Sequence, residues 1–201
     1  MSDIIAKSAR LRLPDLLPAY RQGIFPMGYP GTHWVTWHQP PQRGILPLDA
    51  AHFSHSLSRT LKQHRYRVSF NEAFDEVMLA CARAPDECWI TDEFRTVYGA
   101  LQKQGHAHSL EIWVDGQLAG GLYGVHIGGA FFAESKFHRV RDMSKVALAE
   151  LVQHLKSRDF LLLDVQYQTE HLSQFGVISV PLKHYSPLLA EAVAAERKFL
   201  V

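Results

Sequence analysis

The sequence predicts an α+β fold, and three observations predict it. The second half carries strand-like stretches joined at Asp115-Gly116, a strong hairpin signal. A helical stripe and a further apolar strand follow them. The first half mixes short helical stripes with short apolar runs, without repeats, low-complexity tracts or a linker.

The totals bound the answer. A chain of 201 residues suits one domain, or a domain with a small annex. Hydrophobic content of 47% and charged content of 20% fit a globular protein with a sizeable core. No apolar run approaches the roughly 20 residues of a membrane helix. The first residues, Met1-Ser-Asp-Ile-Ile-Ala-Lys7, lack an apolar signal core, so a cytosolic protein is expected. Cys81 and Cys88 suggest reduced thiols and neither a disulfide scaffold nor a zinc knuckle. Net charge is only +1, which argues against broad wrapping of nucleic acid. Residues 1–70 nevertheless hold nine Lys/Arg against three Asp, an excess of six, so the remainder carries −5. That asymmetry suits an anionic substrate held at one end, and equally an ordinary solvated surface.

In order, Leu11–Arg21 reads as a helix with Leu13, Leu16, Leu17 and Tyr20 on one face and Gly23 after its end. A Gly/Pro-rich loop runs through Gly31. Trp34 and Trp37 lie just beyond, as flat partners for a base or as caps on a core. Arg43–Leu48 reads as a strand, Ser54–His64 as a helix with Leu57 and Leu61 inward, and Val68–Phe70 as a short strand. Asn71 is expected to cap a helix over Glu72–Arg83 that buries Phe74, Val77, Met78 and Cys81. Pro85–Ile90 reads as a loop carrying Trp89. Asp92 is expected to cap Glu93–Gln104, with Phe94, Val97, Tyr98 and Leu101 as its stripe and Gly105 as its stop. Ser109–Val114, Gln117–Ile127 and Ala130–Glu134 form a predicted antiparallel meander. The glycines of its middle strand predict close approach by a backbone or a ligand. Asp142 or Ser144 is expected to cap a helix to about Arg158, with Val146, Leu148, Leu151, Val152 and Leu155 inward. Leu161–Gln166 reads as a strand, Thr169–Phe175 as a short helix closed by Gly176, Val177–Leu182 as a strand and Ser186–Phe199 as a last helix. Meander, helix, strand is the order of an acetyltransferase-like fold.

The chemistry concentrates in Gly120–Arg139 and the strand after it. Glu134 is read at a strand end. Asp164 and Gln166 lie two apart and so share a strand face. Polar groups in such apolar strands cost free energy unless satisfied. These three suit a reaction centre, and they suit a structural hydrogen-bond network. The loop Ser135–Asp142 carries Lys136, Arg139 and Arg141 ahead of a helix start, which favours an anion. The glycine-spaced loop that would hold the pyrophosphate of a coenzyme A is missing. His106 and His108 are closely spaced, but no third metal ligand is evident. No Ser or Cys has a nucleophile-elbow setting.

Nine segments carry a resemblance. They are Ala19-Tyr-Arg-Gln-Gly-Ile-Phe-Pro-Met27, Arg43-Gly-Ile-Leu-Pro-Leu48, Trp89-Ile-Thr91, Gly105-His-Ala-His-Ser-Leu-Glu-Ile-Trp113, Gly120-Gly-Leu-Tyr-Gly-Val125, Phe132-Ala-Glu-Ser-Lys-Phe-His-Arg139, Ser144-Lys145, Leu163-Asp-Val-Gln166 and His171-Leu172. In this order they resemble bacterial leucyl/phenylalanyl-tRNA–protein transferases. The resemblance implies a small N-terminal α/β domain, placed at 1–65, and a GNAT-like (acetyltransferase-like) catalytic domain with a mixed sheet at 66–201. It implies transfer of Leu or Phe, also Met, from aminoacyl-tRNA to proteins beginning with Arg or Lys, marking them for degradation through the N-degron pathway. It implies no cofactor and no metal, and a monomer is expected.

By the same resemblance, Trp37 and Trp89 fall near the 3′-terminal adenosine. Glu134, Asp164 and Gln166 fall at the reaction centre. For the chemistry, Asp164, hydrogen-bonded to Gln166, is expected to organise the acceptor amine. Leu122, Phe131, Leu151 and Leu155 fall on the side-chain pocket. Arg59, Lys62, Arg65 and Arg67 are the candidate tRNA phosphate contacts. The chain departs from the family pattern at Lys136, where Met is usual, and at Ala133 and His138. The alternatives are a related aminoacyl-tRNA-dependent transferase for Asp/Glu N-termini, an acyl-CoA N-acyltransferase, and a catalytically silent binder of tRNA ends or N-degrons.

Overall fold

The structure, a computed structural model, describes residues 3–29, 31–82 and 88–200. Strand β1 (Ile4–Ser8), helix α1 (Leu13–Tyr20) and strands β2 (Phe25–Gly28) and β3 (Val35–His38) open the chain. The three strands make a small antiparallel sheet in the order β1-β3-β2. The sequence reading places no strands here. Each is four or five residues long, and Pro26 argues against a strand. Proline is tolerated because β2 lies at the sheet edge, where its missing N–H costs no ladder bond.

The main sheet has seven strands in the order β10-β4-β9-β8-β7-β6-β5. They are β4 (Gln42–Ile45), β5 (Arg67–Phe70), β6 (Ala107–Val114), β7 (Gln117–Ile127), β8 (Ala130–His138), β9 (Leu162–Gln166) and β10 (Ile178–Pro181). Strand β4 lies within the expected N-terminal segment, yet it pairs with β9 and β10. The meander β6-β7-β8 is antiparallel. Its hairpin turns at Asp115 and Gly116, both with positive φ (49° and 74°), as a type I′ turn requires. Strand β9 then joins β8 in parallel, so the sheet is mixed and the acetyltransferase-like order is present.

Helices α2 (His55–Gln63), α3 (Phe74–Cys81), α4 (Asp92–Lys103), α5 (Met143–Ser157), α6 (Glu170–Ser173) and α7 (Leu182–Ala194) complete the fold. Strand residues alternate between two cores. One holds Phe132 and Leu162 with α1, α3, α4 and α7, and the other holds Phe131 and Leu163 with α2 and α5. The close approach expected at the glycines comes from protein. A Cβ on Gly120 would lie 2.7 Å from the Met143 Cβ, and one on Gly124 2.3 Å from the Phe132 carbonyl oxygen.

Several boundaries are corrected. Asn71 does not cap α3; its side chain accepts from the Ser109 N–H at 2.9 Å and bonds the His108 ring. Thr91, one residue before Asp92, caps α4. Asp142 occupies the N-cap position of α5 without a capping bond and pairs instead with Lys145 at 2.8 Å. Helix α7 starts at Leu182, four residues before the expected start, and contains Pro187. The expected helix end at Arg83 and the start of the Pro85–Ile90 loop lie outside the described residues. Among the described residues, no helix is long and apolar enough to cross a membrane.

Candidate active site

The last parallel partners of β8 and β9 are Phe132 and Asp164, beyond which the two strands part. Both strands are irregular at that gap. In β8, Ala133 pairs with Gly124 and Ser135 with Tyr123, so Glu134 is the extra residue of a β-bulge. A bulge re-aims the side chain that it carries. Glu134 therefore does not end its strand, as the sequence suggested, because β8 continues to His138. In β9, Gln166 has φ 58°, a left-handed conformation that non-glycine residues rarely adopt. The two irregularities bring the side chains together across the gap. Gln166 Nε2 donates to Glu134 Oε1 at 3.0 Å.

Two cavities share this pair. One, of about 110 Å³, is an apolar pocket lined by Leu122, Ala133, Leu148, Val165 and Leu172 on the α5 face of the sheet. Lys136 and Ser135 stand on its wall, with Lys136 Nζ 5.5 Å from the Phe175 ring centre. The other, of about 130 Å³, is a cleft of Phe25, Pro26, Met27, Trp89 and Tyr167 on the opposite face. Glu134 and Gln166 line both.

Glu134 is half-buried and borders both cavities. Burial pushes its carboxyl up to about 8, an effect that the Tyr20 hydroxyl and Arg43 only partly offset. Tyr20 and Tyr98 share a hydrogen bond of 2.6 Å behind it, and burial raises both phenols far above their usual range. They are hydroxyl donors at any physiological pH.

Asp164 is fully buried and lines neither cavity. Its carboxylate accepts from Arg43 Nε at 3.0 and 2.9 Å, from the Gln166 backbone N–H at 2.8 Å and from the Tyr185 hydroxyl. The expected bond between Asp164 and Gln166 is thus made to the backbone, not to the amide side chain. Arg43 is also fully buried, and burial works against its charge, but Asp164, Tyr185 and Glu134 together more than offset this. The sequence reading missed Arg43 and Tyr185 as site residues. An arginine opening the apolar strand Arg43–Leu48 is the one signal that points to a buried partner.

The structure distributes the other candidates unevenly. Leu122 lines the pocket, whereas Phe131, Leu151 and Leu155 are fully buried in the core beneath it. Trp89 lines the cleft. Trp37 is buried in β3, its indole donating to Ser8 Oγ at 3.0 Å, and it lines neither cavity. Arg59, Lys62 and Arg65 are exposed on and just after α2. Arg67 is bound to Glu72 at 2.9 Å and lies 4.9 Å over the Trp113 ring. Among the described residues, no group of three or more His, Cys, Asp or Glu is placed to hold a metal ion.

The mixed sheet opens at a carboxylate–amide pair, with an apolar pocket on one face and an aromatic cleft on the other, an arrangement that suits the transfer of an acyl group. Comparison narrows the class. The sequence model of the family described as Leucyl/phenylalanyl-tRNA protein transferase matches residues 45–190, and that of its N-terminal domain matches residues 9–41. The chain belongs to this family. It is 49% identical to the leucyl/phenylalanyl-tRNA–protein transferase of Salinibacter ruber over 181 residues, 90% of this chain and 80% of that one. It is 45% identical to that of Gloeobacter violaceus over 184 residues, 92% and 95% of the two chains. Among solved structures, a ribosomal-protein-alanine N-acetyltransferase from Brucella melitensis biovar Abortus 2308 gives a TM-score of 0.41 at 15% identity, covering 55% of this chain and 86% of its own.

Proposed function

We propose that this protein moves Leu or Phe, and also Met, from aminoacyl-tRNA to the α-amine of proteins beginning with Arg or Lys, as part of the N-degron pathway. The observation that carries the reading is the Glu134–Gln166 pair on the shared border of pocket and cleft. The apolar pocket takes the transferred side chain. It rejects polar ones, whose unpaired groups would cost free energy. The cleft, with Trp89 and Phe25, takes the terminal adenosine by stacking. An acceptor that starts with Arg or Lys brings a cation toward Glu134, which lines both cavities.

The reaction is aminolysis of an activated ester, so much of the acceleration comes from holding amine and carbonyl together. The acceptor ammonium has a pKa of about 8, close to that of Glu134, which suits Glu134 to take its proton. The amine nitrogen then attacks the ester carbonyl. The bond to the ribose oxygen breaks, that leaving oxygen takes the second proton from the former amine nitrogen, and the proton held on Glu134 is released to solvent. The Gln166 amide aligns the amine or donates to the developing oxyanion. A small N-terminal domain over residues 1–65 gives β4 to the sheet of a larger catalytic domain over residues 66–201. The protein acts as a monomer in the cytosol.

The test pairs tRNAs charged with Leu, Phe, Met or Arg with peptides beginning with Arg, Lys, Asp or Glu. Transfer of Leu, Phe and Met onto the Arg and Lys peptides alone is expected. Transfer onto Asp or Glu peptides, or from Arg-tRNA, overturns the acceptor or donor assignment.

A further inference from the structure

Gln166 is the residue of the site whose backbone is least at ease. Its φ of 58° is held only where the surrounding structure imposes it. Four contacts impose it here. Asp164 Oδ1 accepts the Gln166 N–H at 2.8 Å. Arg43 Nε holds both Asp164 oxygens, at 3.0 and 2.9 Å. The Tyr185 hydroxyl donates to Oδ2, and Arg43 Nη1 donates to the Gly23 carbonyl at 3.1 Å. The guanidinium lies 4.6 Å over Phe25 and 5.3 Å over Tyr185. Arg43, Asp164 and Tyr185 are each 0% exposed, so none of them reaches a bound substrate.

We infer that Arg43, Asp164 and Tyr185 form an internal clamp of positioning residues, which pins the Gln166 backbone and thereby aims its amide at Glu134 and the reacting carbonyl. Asp164 acts through Gln166 and does not meet the amine. The clamp ties three distant parts of the chain to the site: β4, the C-terminal helix α7 and the turn at Gly23. It rests on the transferase reading for its kinetic consequence, but its geometry stands independently of the substrate.

The experiment uses Tyr185→Phe, which removes one hydroxyl and keeps the ring, and Arg43→Lys, which keeps the charge and loses the planar fork. The readouts are kcat and KM for Leu-tRNA, thermal unfolding, and the nitrogen-15 signal of the Gln166 side-chain amide, assigned by its loss in Gln166→Ala. The clamp predicts that Tyr185→Phe folds, lowers kcat about 10-fold with KM unchanged, and moves or broadens the amide signal. Arg43→Lys, where it folds, shows the same pattern more strongly. Wild-type kcat with an unmoved amide signal, whatever the unfolding temperature, makes the network merely structural and overturns the proposal. A raised KM at unchanged kcat overturns it too. If the wild-type protein transfers nothing, the functional reading fails, and the amide signal alone still decides the clamp.

Discussion

Glu134 is the residue on which the site's pH behaviour turns. Its carboxyl titrates at about 8 in the folded chain, because burial penalises the anion, against an ordinary value of 4.5. A carboxyl raised in this way contributes stability that is complete below pH 4.5 and is lost as pH rises through about 8. Glu134→Gln keeps a carbonyl to accept from Gln166 and cannot ionise. The wild type should therefore lose stability relative to the variant across this window, by at most about 1.4 kcal/mol per pH unit. Urea denaturation of both proteins at several pH values checks this, and parallel slopes would refute the buried carboxyl. In transfer assays the same substitution removes the proposed proton acceptor, with an expected loss of about 10²- to 10⁴-fold in kcat.

At the scale of elements, the site exists because two strands depart from regularity side by side. Strand β4 must come very close to make this possible. A Cβ on Gly44 would lie 2.5 Å from the Tyr167 carbonyl carbon and 2.6 Å from the Gln168 nitrogen, both backbone atoms that cannot swing aside. Gly44→Ala should push β4 from the end of β9, cost about 1–3 kcal/mol, and misplace Arg43 next to it. A lowered urea midpoint accompanied by lost transfer in the folded protein is expected, and an unchanged midpoint counts against the close packing. Much of this layer was legible. Period-two and period-3.6 patterns placed the meander, α5 and β9 within a few residues, since each buries a long apolar face. Asp164, Gln166 and Glu134 stood out as polar breaks in apolar strands. The bulge at Glu134 left no sequence signal, because its cause is a one-residue mismatch between β7 and β8. Arg43 and Tyr185 were invisible as partners because each meets Asp164 through the fold, Arg43 from 121 residues away. The start of α7 differs from the expected Ser186, although a start there would put Pro187 in the first turn, where proline is favoured. Pro187 lies instead inside a helix that begins earlier.

At the scale of the whole molecule, the uneven charge decides how a polyanion is held. The excess of six positive charges in residues 1–70 sits in a chain whose net charge is only +1. Arg59, Lys62 and Arg65 are exposed on one short stretch, without a described salt bridge. Arg67 is already engaged by Glu72 and stacked on Trp113. Phosphate contacts release counterions, so each one adds roughly 0.7–0.9 to the slope of log affinity against log salt. If the stretch holds the acceptor stem, replacing Arg59, Lys62 and Arg65 together by Ala should flatten that slope by about 2–3. Arg67→Ala should change it little, because the Arg67 charge is already paired with Glu72 and its guanidinium lies over Trp113. Binding of uncharged tRNA across a salt series, followed by fluorescence anisotropy, separates these cases. Transfer from a short aminoacyl-adenosine donor, which reaches only the pocket and cleft, should be the same in the unchanged protein and in three variants: the triple, Arg67→Ala, and Tyr66→Phe as a neutral neighbour. A triple variant with an unaltered salt slope would place the acceptor stem on a different face of the molecule.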